Sequence, residues 1–279
     1  MCWQPADLTM EPNTSCCRQT LYASIRGWSC IPKTSRLLAV PRDSSAVLSA
    51  DGLNTDFIPS GLRRRCSTVS KVTLAVAYAA ARGRADLKSL PSVFSSAHGE
   101  SDITANLLHD LAILQPLSPM GFSLSVHNAA SGLFSIATGN TAPSTAIAAG
   151  PHSCIMGLCE ALLIVREDPQ TPVLFVCSDD RVPSVFLPDA TTSDNPFALA
   201  VLFAAPGSPQ SSEVKITIDQ QPTTHNKSQQ STGSTDAIDA FTAWLEDRTP
   251  YVELPAAGSV WRFEATTSRA ALFTSPHRV

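Results

Sequence analysis

The sequence predicts an α/β protein built around one sheet with both faces covered. Three observations carry that reading. Short runs that are apolar nearly throughout, such as Val173-Leu-Phe-Val-Cys177 and Phe197 to Ala205, have the length of strands with no solvent face. Between such runs lie stretches with helical apolar spacing, and this alternation is the pattern of a sheet layered with helices. Finally, 43% of the 279 residues are hydrophobic and only 16% are charged, which is enough apolar material for a large core.

Along the chain, residues 1–18 are polar and aperiodic and predict a loose extension, with residues 19–279 as a single domain. Leu21 to Pro32 reads as a first strand and turn, and Pro41 to Pro59 as a loop with a turn signal at Asp51-Gly52. From Ser67 an Ala-rich apolar run predicts a buried helix that ends near Gly83. Pro91 to Ser96 is a short strand. Asp102 to Leu114 is an amphipathic helix with Ile103, Leu107, Leu108, Leu111 and Leu114 at helical spacing. A helix over Ser125 to Thr138 carries the small residues Ala129 to Gly132, which permit close packing. Thr145 to Ala149 is a strand, Pro151 to Val165 a helix, and Pro172 to Cys177 another strand. Phe197 to Ala205 and Val214 to Ile218 add strands, Asp236 to Leu245 a helix, and Val260 to Phe263 a last strand. Residues 219–235 are poor in apolar side chains and predict a mobile loop.

Composition also excludes function classes. A net charge of −4 gives no broad basic footprint, so nucleic acid is not an expected partner. The first ten residues lack the basic and apolar regions of a signal peptide, and the apolar runs are too short to span a bilayer. A cytoplasmic protein is expected, its eight cysteines reduced. No CxxC or zinc-like Cys/His spacing occurs, so neither a metal nor a cofactor is expected. Asp179-Asp180 reads as two solvated carboxylates at a strand end. Arg63-Arg64-Arg65, with Lys71, Arg82 and Arg84 downstream, is the one basic concentration. It reads either as a solvated helix entrance or as a dock for an acidic partner.

The segment from Leu117 to Ala161 is the most informative. In order it presents Ser118-Pro119, Asn128, Gly132, Gly139, Pro143-Ser144, an apolar Ala146 to Ala149, and the turn Gly150-Pro151-His152-Ser153. This succession resembles the region around the active-site cysteine of the β-ketoacyl synthases, which extend fatty-acid and polyketide chains. Arg63 to Arg65 after a Phe-Ile-Pro segment, His98-Gly99-Glu100, and Phe122 to Asn128 narrow the resemblance. They match the short synthase-like proteins of type II polyketide and aryl-polyene systems. The resemblance covers roughly residues 20–205. It implies a thiolase-like fold with a truncated C-terminal half. The family's second half carries two catalytic histidines and a lysine. Here about 75 residues follow Ala205, and their two histidines, His225 and His277, sit in no such motif.

Counting from Pro143-Ser144, the family's nucleophilic cysteine falls on Pro151. The elbow in that family puts a thiol at a helix N-terminus, where the dipole and free N–H groups favour the thiolate. Proline keeps a first helical position comfortable and removes both the sulfur and one donor. Cys154, about one turn further on, and Ser153 beside His152 are the substitutes to weigh, and both fit packing better than attack. No catalytic residue is therefore expected. The resemblance implies a non-catalytic chain-length-factor type of subunit. Such a subunit pairs with an active ketosynthase as a heterodimer and shapes its acyl tunnel. Phe122, His127, Asn128, Gly132, Leu133, Phe134 and Met156 are the expected tunnel and interface residues. His127 also reads as a core histidine bonded to backbone. Arg63, Arg64 and Arg65 are the expected dock for an acyl carrier protein. Two rival readings are an acyltransferase using Cys154 or Ser153, and a carrier-binding scaffold module.

Overall fold

The computed structural model describes residues 18–31, 54–180, 182–183, 185–186, 196–207, 212–220, 234–245, 249–256 and 259–266. The expected N-terminal extension lies outside these residues, except Arg18, which begins the first strand. The Asp51-Gly52 turn lies outside as well. Of the expected 219–235 loop, residues 221–233 lie outside. Asp219 and Gln220 close a strand, and Ser234 and Thr235 open a helix.

Among the described residues eight strands form one mixed sheet: β1 (Arg18–Ile31), β2 (Ser92–Ser95), β3 (Ser144–Ile147), β4 (Val173–Asp179), β5 (Phe197–Ala204), β6 (Ser212–Gln220), β7 (Tyr251–Ala256) and β8 (Ser259–Ala265). Their spatial order is β3-β2-β4-β5-β1-β6-β8-β7. β2 runs parallel to both neighbours, and every other pairing is antiparallel. Among the described residues seven helices accompany them: α1 (Ser60–Arg63), α2 (Thr68–Ala81), α3 (Ser101–Ala112), α4 (Pro119–Leu124), α5 (Ala129–Thr138), α6 (Ser153–Glu167) and α7 (Ser234–Leu245).

The predicted two-sided burial is realised in the centre. Every residue of β4 and β5 is buried. Their side chains divide with period two. Val173, Phe175, Cys177, Phe197, Leu199, Val201 and Phe203 join α6 and α7 in one core. Leu174, Val176, Ala198, Ala200 and Leu202 join α2 and α5 in the other. The α2 side of β5 is mostly alanine, matching Ala75, Ala77, Ala80 and Ala81 on the helix, so helix and sheet approach closely.

β1 shows how one extra residue redirects a strand. Ile25 and Ile31 have the same parity, yet Ile25 belongs to one core and Ile31 to the other. The register with β5 shifts between Ile25 and Gly27, and that bulge moves every later side chain to the opposite face. Gly27 then lies under α2. A Cβ there would sit 2.5 Å from the Ala80 carbonyl oxygen.

Two expectations change at element ends, one strand is additional, and one expected helix lies exposed. The helix foreseen over Ser125–Thr138 begins only at Ala129, because Ser118 and Pro119 start a separate short helix. Ser118 Oγ accepts the Gly121 N–H at 3.1 Å, so the Ser-Pro pair is a helix cap. The helix foreseen from Pro151 begins at Ser153, preceded by a 3₁₀ turn over Gly150–His152. β7, which carries Pro255, was not among the expected strands. It lies at the sheet edge, where a missing N–H costs little. Finally, the amphipathic helix α3 exists, but none of its residues is buried.

α6 reaches the sheet through Gly157. A Cβ at that position would meet Ser95 Cβ at 2.7 Å and Phe175 Cε2 at 2.8 Å. Gly157→Ala is expected to lower stability by about 1–3 kcal/mol through overpacking. Urea unfolding checks this, and an unchanged midpoint contradicts it.

Candidate functional site

The two motifs singled out in the sequence meet in space. β2 ends at Ser95, and the loop Ser96-Ala97-His98-Gly99-Glu100 folds back over the end of β4. Asp179, at that end, is only 3% exposed. Its carboxylate accepts hydrogen bonds from Ser96 Oγ (2.5 Å), Ala97 N (3.0 Å) and His98 N (2.9 Å). This corrects the expectation of a solvated strand-end carboxylate at 179. The side chain is the anchor of the 96–98 loop, a contact made across more than 80 residues of sequence. Ser96 Oγ also accepts the Gly99 N–H at 2.7 Å.

Glu100 follows and turns inward. Its Oε1 accepts from Ser67 Oγ at 2.9 Å and Ser70 Oγ at 2.5 Å. Ser67 is the N-cap of α2, taking the Ser70 N–H at 2.9 Å. One serine thus ends a helix and holds a carboxyl group. Burial pushes the Glu100 carboxyl above its usual range, with Asp180 and Asp102 adding to the rise. The two serine hydroxyls oppose it.

His127 closes the arrangement from α5's side. Its Nε2 lies 3.0 Å from the Ser96 carbonyl oxygen, which only accepts, so Nε2 carries the proton. The expected backbone bond is present, but the ring is exposed rather than in the core. Between these groups is a recess of about 30 Å³, lined by Val69, Phe94 and Ala130 among the apolar residues and by Glu100, Ser178 and His127 among the polar ones.

The elbow lies elsewhere, after β3. Pro151 sits in the 3₁₀ turn, with an exposed side chain and no nucleophilic atom. Ser153 is fully buried. Its Oγ donates to the Gly150 carbonyl at 2.8 Å and accepts the Ala149 N–H at 2.9 Å, so it staples the turn. Cys154 is likewise fully buried in the α6 core, in hydrogen-bond contact with Cys177. Burial, and then Cys154 itself, hold the Cys177 thiol well above its usual range. Neither substitute presents a reacting atom to solvent. Among the described residues no three His, Cys, Asp or Glu side chains converge as metal ligands. No helix there is long and apolar enough to cross a membrane.

The expected tunnel residues divide into three groups. Phe122, His127, Asn128 and Gly132 are on the surface, and a Cβ at Gly132 would meet only open space. Leu133 and Phe134 are core residues on the α2 side, Phe134 tilted against Phe94 with ring centroids 5.7 Å apart. Met156 packs against the opposite core. Phe134→Ala therefore probes core packing rather than a tunnel. The basic residues divide too. Arg63 pairs with Asp56 at 3.1 Å, while Arg64 and Arg65 are exposed. Arg82 and Arg84 sit past the far end of α2, about 20 Å away by helix rise.

Sequence reasoning did not foresee the exposed apolar face. Eight large apolar side chains between Leu108 and Val126 are exposed, among them Leu114 at 89% and Phe122 at 66%. They span α3, the link to α4, α4 itself and the two residues after it. The apolar spacing of α3 was legible in the sequence, but whether that stripe faces a core or solvent was not.

A mixed sheet between helices, with a loop-and-turn elbow leading into a buried helix, defines a thiolase-like α/β protein of the condensing-enzyme kind. The chain belongs to the β-ketoacyl synthase family. The family's N-terminal domain matches residues 33–264. Among solved structures, one chain of the ketosynthase ApeO in complex with its chain length factor ApeC from Xenorhabdus doucetiae shares the fold with a TM-score of 0.66. It is 21% identical over 88% of this chain and 99% of that one. The ishigamide ketosynthase/chain length factor gives 0.52 at 14% identity, over 70% of this chain and 65% of the other. The AntDE:AntF complex, a type II polyketide acyl-carrier protein with its ketosynthase, gives 0.51 at 13%, over 82% and 75%. No curated protein matches the chain in sequence.

Glu100 yields a signed prediction. A carboxyl whose folded pKa is raised stabilises the fold fully below its unfolded value, near 4.5, and that contribution is lost as pH rises through the folded value. Glu100→Gln keeps the shape without the titration. Its Tm is expected to fall less than wild type as pH rises from 4.5 towards neutrality. Parallel Tm–pH curves for the two proteins contradict this.

Proposed function

We propose that this chain is a non-catalytic β-ketoacyl synthase-like subunit of the chain-length-factor type. It acts as one domain in the reducing cytoplasm and pairs with an active ketosynthase in fatty-acid or polyketide assembly, aryl polyenes included. The observation that carries the proposal is the combination of a retained family fold with Pro151 at the nucleophile's position. Decarboxylative condensation needs a thiolate to hold the acyl chain. The two nearest candidates, Ser153 and Cys154, are committed to the turn and the core.

The surface supports pairing. β3 is an edge strand of the sheet as described and leads directly into the elbow. An unpaired edge and a contiguous apolar face are both features that a partner covers. Solved assemblies of the same fold include ketosynthases held with chain length factors. Phe122, His127, Asn128 and Gly132 are available at the surface to shape a neighbour's acyl tunnel, with Leu133 and Phe134 backing them from the core. Arg64 and Arg65 are the exposed members of the proposed carrier-protein dock, with Arg63 beside them. The carrier's phosphate group supplies the complementary charge.

The test is co-expression with the ketosynthase encoded beside this chain, native mass spectrometry of the purified complex, and acyl mapping after feeding an acyl donor. A 1:1 heterodimer acylated only on the partner is expected. An acyl group on Cys154 or Ser153 would make this chain an acyltransferase. A heterodimer whose product length ignores Phe122 substitutions would reduce it to a scaffold.

Leu114→Asp and Phe122→Asp are expected to weaken the heterodimer at least tenfold, because each puts a charge into a dry contact. The Tm of the isolated chain should stay within about 2 °C, since both side chains are exposed. Unchanged affinity in both variants would remove this face from the interface.

A further inference from the structure

We propose that the recess beside Glu100 is a binding site for a primary ammonium group on a short apolar stem. The inference is separate from the pairing reading and rests on where the hydrogens of its wall go. Thr73 Oγ1 lies 2.6 Å from the Val69 carbonyl oxygen and 2.8 Å from Ser178 Oγ. Its single proton serves the carbonyl, so Ser178 donates to Thr73. Ser95 Oγ donates to the Val176 carbonyl, Ser96 Oγ to Asp179, and Ser70 Oγ to Glu100 Oε1. His127 Nε2–H is held by the Ser96 carbonyl. Every side-chain donor that lines the recess is thus spent inside its own wall.

What remains is acceptor capacity. Glu100 is 7% exposed, and its Oε2 has no hydrogen-bond partner among the described residues. Ser178 Oγ, one donor spent, keeps a lone pair. A wall that offers acceptors and no donors selects a ligand that only donates, and a buried carboxylate selects a cation. Asp102 and Asp180 add negative potential at Glu100. The recess is small and partly open to solvent, so a compact head group on a short stem fits it. Val69, Phe94 and Ala130 give the carbon an apolar wall. A bare alkali ion would leave those apolar walls without a partner, and a quaternary ammonium would have no N–H to donate.

The probe is methylammonium chloride, titrated into the ¹⁵N-labelled full chain and followed by amide shifts. Saturable shifts at Ser70, Gly99 and His127 are expected with methylammonium. None is expected with tetramethylammonium, potassium or acetate at equal ionic strength. Glu100→Gln keeps the volume and the serine bonds and removes the charge, and should weaken binding at least tenfold. The proposal is overturned by a wild-type titration without saturation, by an equal response to tetramethylammonium or potassium, or by undiminished binding in a folded Glu100→Gln protein. Should that variant not fold, the wild-type comparison between methylammonium and tetramethylammonium decides alone.

Discussion

Two strands at the middle of the sheet have no side that faces water, and the remaining architecture answers to that fact. β4 and β5 bury all fifteen of their residues, so each face needs its own apolar cover. The two covers differ in kind. Phenylalanine, leucine and valine meet α6 and α7, leaving a thick layer in which Phe241, Trp244 and Phe263 pack in tilted and edge-to-face contacts. Alanines meet α2, giving a thin one. The bulge in β1 and the glycines at 27 and 157 follow from the same demand, since each lets a helix or strand lie where the covered faces require it.

Polar chemistry collects where this apolar packing stops. β4 ends in Ser178 and Asp179, and α2 begins with Ser67 and Ser70. The 96–100 loop spans the gap between them. A buried carboxylate there holds two backbone N–H groups that would otherwise lack partners, which is why a charge is tolerated at that depth. The elbow after β3 is built on the opposite principle. It keeps its geometry through the neutral hydroxyl of Ser153, which bonds the Gly150 carbonyl and the Ala149 N–H, rather than through a carboxylate. The turn's geometry rests on backbone and hydroxyl groups, so its shape does not require a thiol.

Much of the fold was legible because its signals are local. The apolar runs of β4 and β5 and the alanine-rich α2 report burial in their own composition. The misses were non-local or depended on position in the sheet. Asp179 reads as a solvated acid until the loop 82 residues earlier is seen to fold onto it. Phe134 shares a helix with surface residues, and only the packing against Phe94 places it in the core. β7 carries a proline that forbids a central strand and is harmless at an edge. The stripe of α3 was visible as a pattern, but periodicity alone cannot say whether an apolar stripe faces its own core or something outside it.

That stripe has a consequence for how the chain is made. Eight exposed apolar side chains fall within nineteen residues, half of them on two short helices that bury nothing of their own and half in the segments beside them. Newly synthesised copies in excess of whatever covers this face would meet one another, or the cell's quality-control machinery, before anything else. On the pairing proposal, abundance is set by the scarcer component, and a gene-dosage imbalance is felt as insolubility or turnover rather than as surplus protein.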